Sequence, residues 1–392
     1  MQAYALEWLQ LLLRCLHVIT GIAWIGASFY FVWLDNHLQK PTSKDNVDKG
    51  VDGELWAVHG GGFYNPQKYM VAPKSLPNDL HWFYWESYST WMSGFALFVV
   101  VYLLNAKTML VDTKVADITA GQAVTFALII LVAGWIIYDM VCRRLREHDL
   151  LVGVIVSGMV VFTSWLTCQL FSARAAYLIT GAMMATAMTA NVFFWIIPGQ
   201  RKVIVDMKEG RTPDPIYGQR GKQRSVHNTY FTLPVLFTML SNHFHMIYSD
   251  KHQWILLVIM MLAGVLIRHY FVLRHKGLNA WWYPVTASTL IIGIMIYLAP
   301  PGQAKATTSS SASIEEVKSV IDRRCVPCHA PNSRLMGMAP KNLSLETIDA
   351  IEANANLIYV QAVQQKIMPV GNVTEMTEAE RDIIKVWFEN RQ

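Results

Sequence analysis

The chain has 392 residues, of which 53% are hydrophobic and only 16% charged. Soluble domains carry about 25% charged residues, so this composition excludes an ordinary soluble enzyme and points to a lipid bilayer as a partner. The net charge of +5 is no nucleic-acid signal, because residues 301–392 are nearly neutral, with 10 Lys+Arg against 11 Asp+Glu, and the other cations fall mostly in loops.

Eight apolar stretches reach the roughly 20 residues of helix that cross a bilayer. They cover 8–33, 86–106, 120–142, 149–171, 174–197, 226–247, 254–274 and 281–299. The N-terminus, "MQAYALEWLQ", has no basic leader, and the apolar run after it is too long for a signal peptide, so it reads as a retained first span. In that span Arg14 precedes His17 by three residues, on one helix face. An imidazole inside a membrane is costly and marks a functional site by default. His17 therefore reads as a ligand of a non-covalent b-type haem, with Arg14 beside a haem propionate; a structural hydrogen bond is the alternative.

The loop 34–85 is long and dense in aromatic residues, unlike a disordered segment. It carries His59 before Gly60, Gly61 and Gly62, then Asn65, Lys68, Lys74 and His81. Glycines allow close backbone approach to a ligand, and the set suits a flat, anionic, hydrogen-bonding heterocycle. A loop that merely packs on the bundle would read the same way. In the sixth span His227 follows Arg224 by three residues, which sets Arg224, like Arg14, where a haem propionate would want a cation. His243 and His245 lie at the far end. The sixteen residues from His227 to His243 span about 24 Å of helix, enough for sites on opposite sides of the membrane. His243, then His245, is the expected partner of His17. For His227, for His245 and for His269 in the seventh span, haem ligation and plain hydrogen bonding both stay open.

Residues 301–312 form a Ser/Thr-rich linker. Residues 313–392 read as soluble and helical, with capping boxes at Ser313/Glu316 and Thr377/Glu380. Inside them Cys325-Val326-Pro327-Cys328-His329 is a C-x-x-C-H, the attachment motif of c-type haem. The two thiols form thioethers to the haem vinyl groups, and His329 becomes the proximal ligand. A zinc or redox C-x-x-C is the alternative, but no second ligand pair and no βαβ pattern accompany it. Candidate sixth ligands are Met336, Met338, Met368 and Met376. Met368 is preferred, because it precedes a proline about forty residues downstream and so can reach the opposite haem face. Residues 313–392 resemble the small class I cytochromes c.

The loops 34–85, 142–149, 198–225 and 274–280 hold 17 Lys+Arg against 4 in the opposite set. Positive loops stay in the cytoplasm, which puts both the N-terminus and residues 313–392 outside, in the periplasm of an inner-membrane protein. Haem c attachment occurs on that same side. The expected fold is all-α: an eight-span transmembrane helical bundle (1–300) followed by a small class I-like cytochrome c domain (313–392).

The whole chain resembles the bacterial membrane-bound, cytochrome c-containing urate oxidases. The likeness is carried by "LHVITGIAWIGASFYFVWLDNHL", "HGGGFYNPQKY", "HWFYWESYSTWMSG", "SNHFHMIYSD" and "CVPCH". The resemblance implies oxidation of urate to 5-hydroxyisourate, with water as oxygen source and electrons passed through haem to a respiratory-chain acceptor. Composition and spacing do not show urate. His59 and His81 are then the candidate catalytic base or substrate anchor. Two rivals differ in class: a quinol-to-cytochrome c electron carrier without purine chemistry, and a haem-binding sensor or assembly factor.

Overall fold

Helices form where the apolar runs predict them. The computed structural model describes residues 2–69, 73, 76–248, 250–299, 312–335, 339–340 and 343–391. The N-terminal part builds helices α1 (Gln2–His37), α2 (Trp85–Leu97, prolonged by a π-helical turn Phe98–Leu103), α3 (Ala120–Arg144) and α4 (Asp149–Leu170). Next comes α5 (Ala173–Asn191), which runs through a π-helical stretch Val192–Ile196 into Ile197–Lys208. The last three are α6 (Pro215–Leu240), α7 (Gln253–His275) and α8 (Trp282–Tyr297). Local chemistry sets several boundaries. Thr119 and Gln122 close a capping box on α3, and Asp214 caps α6 ahead of Pro215, whose missing N–H costs nothing at a first turn.

Among the described residues, five helices are long and apolar enough to cross a membrane: α1, α3, α4, α5 and α7. That is compatible with a membrane protein and is fewer than the eight expected. Helix α8 is apolar but only 16 residues long. Helix α6 carries Arg224, Asn228, Thr229 and Thr232, all buried toward its neighbours. It also stops at Leu240, before the end of the sixth apolar run. His243 therefore lies in a 3₁₀ turn, Ser241–His243, outside the helix.

Helix α5 is the hub. It packs on α3, α4 and α6, and Tyr177, Ile179, Met183 and Met184 on it are almost fully buried. Small residues allow the approach, as in membrane bundles generally: a Cβ on Gly134 would run into Met183, and one on Gly181 into Thr238. Helix α1 is the opposite case. It packs mainly on α2, and its most apolar window has no buried residue.

The connecting loops gather at two ends. At the basic end, Arg201 lies 5.8 Å over the Trp82 ring, the His37 and His275 rings sit 5.3 Å apart, and the Gln223 amide donates to Arg146 O at 3.2 Å. At the other end Ser172 N–H donates to Leu110 O (2.8 Å), Tyr102 Oη–H to Asn242 Oδ1 (2.9 Å) and Tyr177 Oη–H to Gln253 O (2.6 Å).

The described residues are 71% helical, but not purely so. The loop 38–84 contains two antiparallel ribbons, β1 (Gly53–Glu54) with β4 (Gln67–Lys68), and β2 (Ala57–His59) with β3 (Gly62–Tyr64). Gly60 and Gly61 form the two-residue turn of the inner ribbon with φ of +57° and +81°. Two positive φ values are what a type I′ hairpin turn requires, so the turn itself explains these glycines without a ligand.

In the C-terminal region, α9 (Ile314–Arg324) packs against α11 (Glu378–Glu389), with α10 (Ile348–Ala353) alongside. Val317, Val320, Ile321, Ile351, Ile384 and Trp387 share one apolar core. Both capping boxes form, at Ser313 and at Thr377. Lys74, the linker residues 301–311, Met336 and Met338 lie outside the described residues.

Candidate functional site

The C-x-x-C-H turn follows directly from α9. His329 N–H donates to Cys325 O at 2.8 Å, and Cys328 N–H to the same carbonyl at 3.0 Å, which winds both thiols and the imidazole around one turn. His329 Nδ1 lies 3.0 Å from Leu343 O. A carbonyl only accepts, so Nδ1 carries the proton and Nε2 keeps its lone pair for a metal. Burial pushes the Cys325 thiol up to about 12 and moves Cys328 in the same direction. Both are therefore thiols at neutral pH, unlike the low-pKa thiolates of redox C-x-x-C motifs. Among the described residues no group of three or more His, Cys, Asp and Glu side chains is set to hold a metal ion. Met376 is buried in the apolar core, while Met368 is half-buried and its carbonyl accepts from Arg381 Nη1 at 2.9 Å. The two neighbouring thiols and the Nδ1–H tautomer of His329 are the chemistry that a covalently held haem would use.

His17 sits in a socket. Its Nδ1 is 3.0 Å from Thr90 O and 3.2 Å from Ser93 Oγ, and a Cβ on Gly94 would stand 2.8 Å from its Cε1. The Thr90 carbonyl again fixes the proton on Nδ1 and leaves Nε2 free, the tautomer a metal-bound histidine needs. Arg14 is exposed and donates to Gln10 Oε1 at 3.4 Å. His243 is exposed, and among the described residues no hydrogen bond or ring contact joins it to His17. The side chain of His245 lies outside the described residues.

The densest polar cluster lies at the basic end, between α3, α5 and α6. Asp139 accepts from Arg224 Nη2 at 2.7 Å and from Trp195 Nε1 at 2.7 Å, and pairs with Arg143 Nε at 2.6 Å. Arg224 is only 2% exposed, and its Nη1 also reaches Asn191 Oδ1 at 3.3 Å. Its charge is thus matched by Asp139 and not held for a haem propionate. Asn191 Nδ2 donates to Tyr138 Oη (2.9 Å) and to Asn228 Oδ1 (2.8 Å). His227 Nδ1 lies 2.8 Å from Tyr138 Oη, and Cys142 Sγ is 3.8 Å from the same nitrogen. His227 is therefore part of a hydrogen-bonded core. Next to this network is a cavity of about 270 Å³, lined by Cys142, Arg143, Arg146, Trp195, Arg220, Gln223 and Arg224. The π-helical stretch after Asn191 sets Trp195 into its wall, as such bulges often do at functional sites.

The other sequence candidates are scattered. His59 is exposed on β2. His81 is exposed, with its ring edge-on to Phe83 at 4.6 Å. No described contact brings the two together. His269 Nδ1 meets Tyr230 Oη at 2.6 Å, and beside it the buried Arg268 stacks 4.3 Å over Phe29 with Nε and Nη2 unpartnered. Sequence reasoning missed Asp139, Tyr138, Asn191, Trp195, Arg143, Arg146 and Arg220. One signal was available, since Asp139 is the single acid in an otherwise apolar helix, and such acids are functional markers.

Long apolar helices around a buried ionic core are compatible with a membrane protein. The urate oxidase N-terminal family model matches residues 3–299, and the chain belongs to that family. Membership supports an oxidoreductase acting on urate. No curated protein and no solved structure matches the chain.

Proposed function

We propose that this protein is an inner-membrane oxidoreductase that converts urate and water to 5-hydroxyisourate, two protons and two electrons, and delivers the electrons to its own C-terminal cytochrome c domain. The observation that carries the cytochrome part is the His329–Leu343 contact, which presents Nε2 in the ligand tautomer directly after two thiols on the same turn. Haem, when bound, supplies one-electron transfer between the purine site and an acceptor of the respiratory chain. The chain's own residues hold it: Cys325 and Cys328 through thioethers, His329 and Met368 as axial ligands, with Arg381 fixing the Met368 loop. Within the bundle, the free Nε2 of His17 and the Gly94 socket support a b-type haem there, with His243 or His245 as its second ligand. The 17-to-4 Lys+Arg split supports a cytoplasmic basic end and a periplasmic C-terminal domain.

The test is anaerobic addition of urate to membranes holding the full-length protein, followed by the c-type haem spectrum. Reduction that depends on urate is expected. It should vanish in Cys325→Ser/Cys328→Ser, whose haem should be lost to acid-acetone extraction. Reduction by quinol but not by urate would replace the reading with the electron-carrier alternative. Hydrogen peroxide formed in step with urate loss would place the electrons on O₂ instead.

A further inference from the structure

We infer that the cavity at the basic end, between α3, α5 and α6, is where the planar purine anion binds, held by Arg146, Arg220, Trp195 and Gln223. The inference rests on the urate reading above and gives that reaction a place.

Charge is the first argument. Four arginines are among the residues that line the cavity: Arg143, Arg146, Arg220 and Arg224. Asp139 answers two of them, Arg143 and Arg224. Among the described residues, Arg146 and Arg220 pair with no carboxylate. An anion entering here meets two uncompensated cations, and Asp139, already holding three donors, is committed elsewhere.

Geometry is the second. The guanidinium carbons of Arg143, Arg224 and Arg220 lie 4.9, 5.1 and 5.7 Å from the Trp195 ring centroid. Arg143 and Arg224 spend N–H groups on Asp139, so Arg220 is the guanidinium over Trp195 whose N–H groups remain to donate in pairs. Paired donors match adjacent carbonyl oxygens and ring nitrogens on a planar heterocycle. Gln223 supplies the complement. Its Nε2 is spent on Asp149 Oδ1 (2.7 Å) and Arg146 O (3.2 Å), which turns Oε1 into an acceptor for a ligand N–H. Urate offers both kinds of edge and a negative charge.

Size is the third. Pockets for drug-sized ligands and cofactors run from about 300 to 1,000 Å³, so about 270 Å³ suits one bicyclic ring and not a dinucleotide. A smaller hollow of about 70 Å³ shares Trp195 and Arg220 and adds Lys202, which extends the basic wall. By contrast, His59 and His81 stand exposed, each on its own segment.

Equilibrium dialysis of radiolabelled urate against the full-length protein in nanodiscs tests the site. Arg146→Gln and Arg220→Gln should each weaken binding about tenfold, as expected for one charge-assisted hydrogen bond. Arg201→Gln, outside the lining, should bind like wild type. Urate should also protect Arg146 and Arg220 of the wild type from phenylglyoxal, a readout that stands if a variant fails to fold. Wild-type binding with neither protection nor weakening puts urate elsewhere and overturns the inference, while the urate reading survives. Wild type that binds no urate overturns both. Inorganic phosphate competing as well as unlabelled urate would make the cavity a general anion site and overturn purine recognition.

Discussion

The C-x-x-C-H turn and the arginine cavity are built in opposite ways. The first is five consecutive residues at the end of one helix, wound by bonds to Cys325 O, with the imidazole oriented by the contact from His329 to Leu343 O. The second is assembled from α3, α5 and α6, and its central ion pair joins residues 85 positions apart. A local site keeps its shape as long as one turn holds. A site spread over three helices exists only when they are packed, so its ionic core has to serve stability as well as any ligand.

That contrast predicts the largest effect at Asp139. Asp139→Leu leaves Arg224 buried without a carboxylate, which costs about 3–5 kcal/mol. The apparent melting temperature of the bundle in detergent should fall clearly, while the haem c spectrum at room temperature stays unchanged. An unaltered melt would mean that the network is not structural, and the comparison would fail.

A smaller effect is expected in the C-terminal region, at Glu380. Burial pushes this carboxyl up, but hydrogen bonds from Thr377 N–H (2.8 Å) and Arg324 Nε (3.0 Å) outweigh it and hold it below its ordinary 4.5. A group depressed by folding stabilises the fold above its unfolded value, and that contribution is lost as pH falls through the folded value. Wild type should therefore lose stability as pH drops below about 4.5. Glu380→Gln should be weaker by about 1–2 kcal/mol at neutral pH and flatter in acid. Acid titration followed by haem absorption checks this, and identical acid profiles would remove Glu380 from the account.

The smallest effect is expected on the exposed loop. His59→Ala and His81→Ala should change stability by less than about 0.5 kcal/mol and leave kcat/KM for urate unchanged. Loss of turnover with normal haem spectra in either variant would bring the loop into the chemistry and weaken the case for the cavity.

The same contrast explains what the sequence could tell. Apolar runs located the helices of the bundle, and the capping boxes at Ser313 and Thr377 were readable because a cap is a relation across three residues. The C-x-x-C-H motif was readable for the same reason. The end of α6 was misplaced, because the apolar run continues past Leu240 and only the 3₁₀ turn at Ser241–His243 stops the helix. The glycines at 60 and 61 read as a ligand cradle until their positive φ values showed a hairpin turn. Arg220, Arg146 and Trp195 lie on three separate segments. Their convergence depends on helix packing, for which one sequence carries no direct signal.

Asp139 also bears on how the protein is made. It is synthesised 85 residues before Arg224, so its helix is made before the long-range partner exists. Arg143, one helical turn further along α3, already pairs with it at 2.6 Å. A cation at i+4 can escort a buried acid through insertion by neutralising it locally. Arrival of α6 then recruits Arg224 as a second partner, so a nascent chain need never leave a bare carboxylate in lipid.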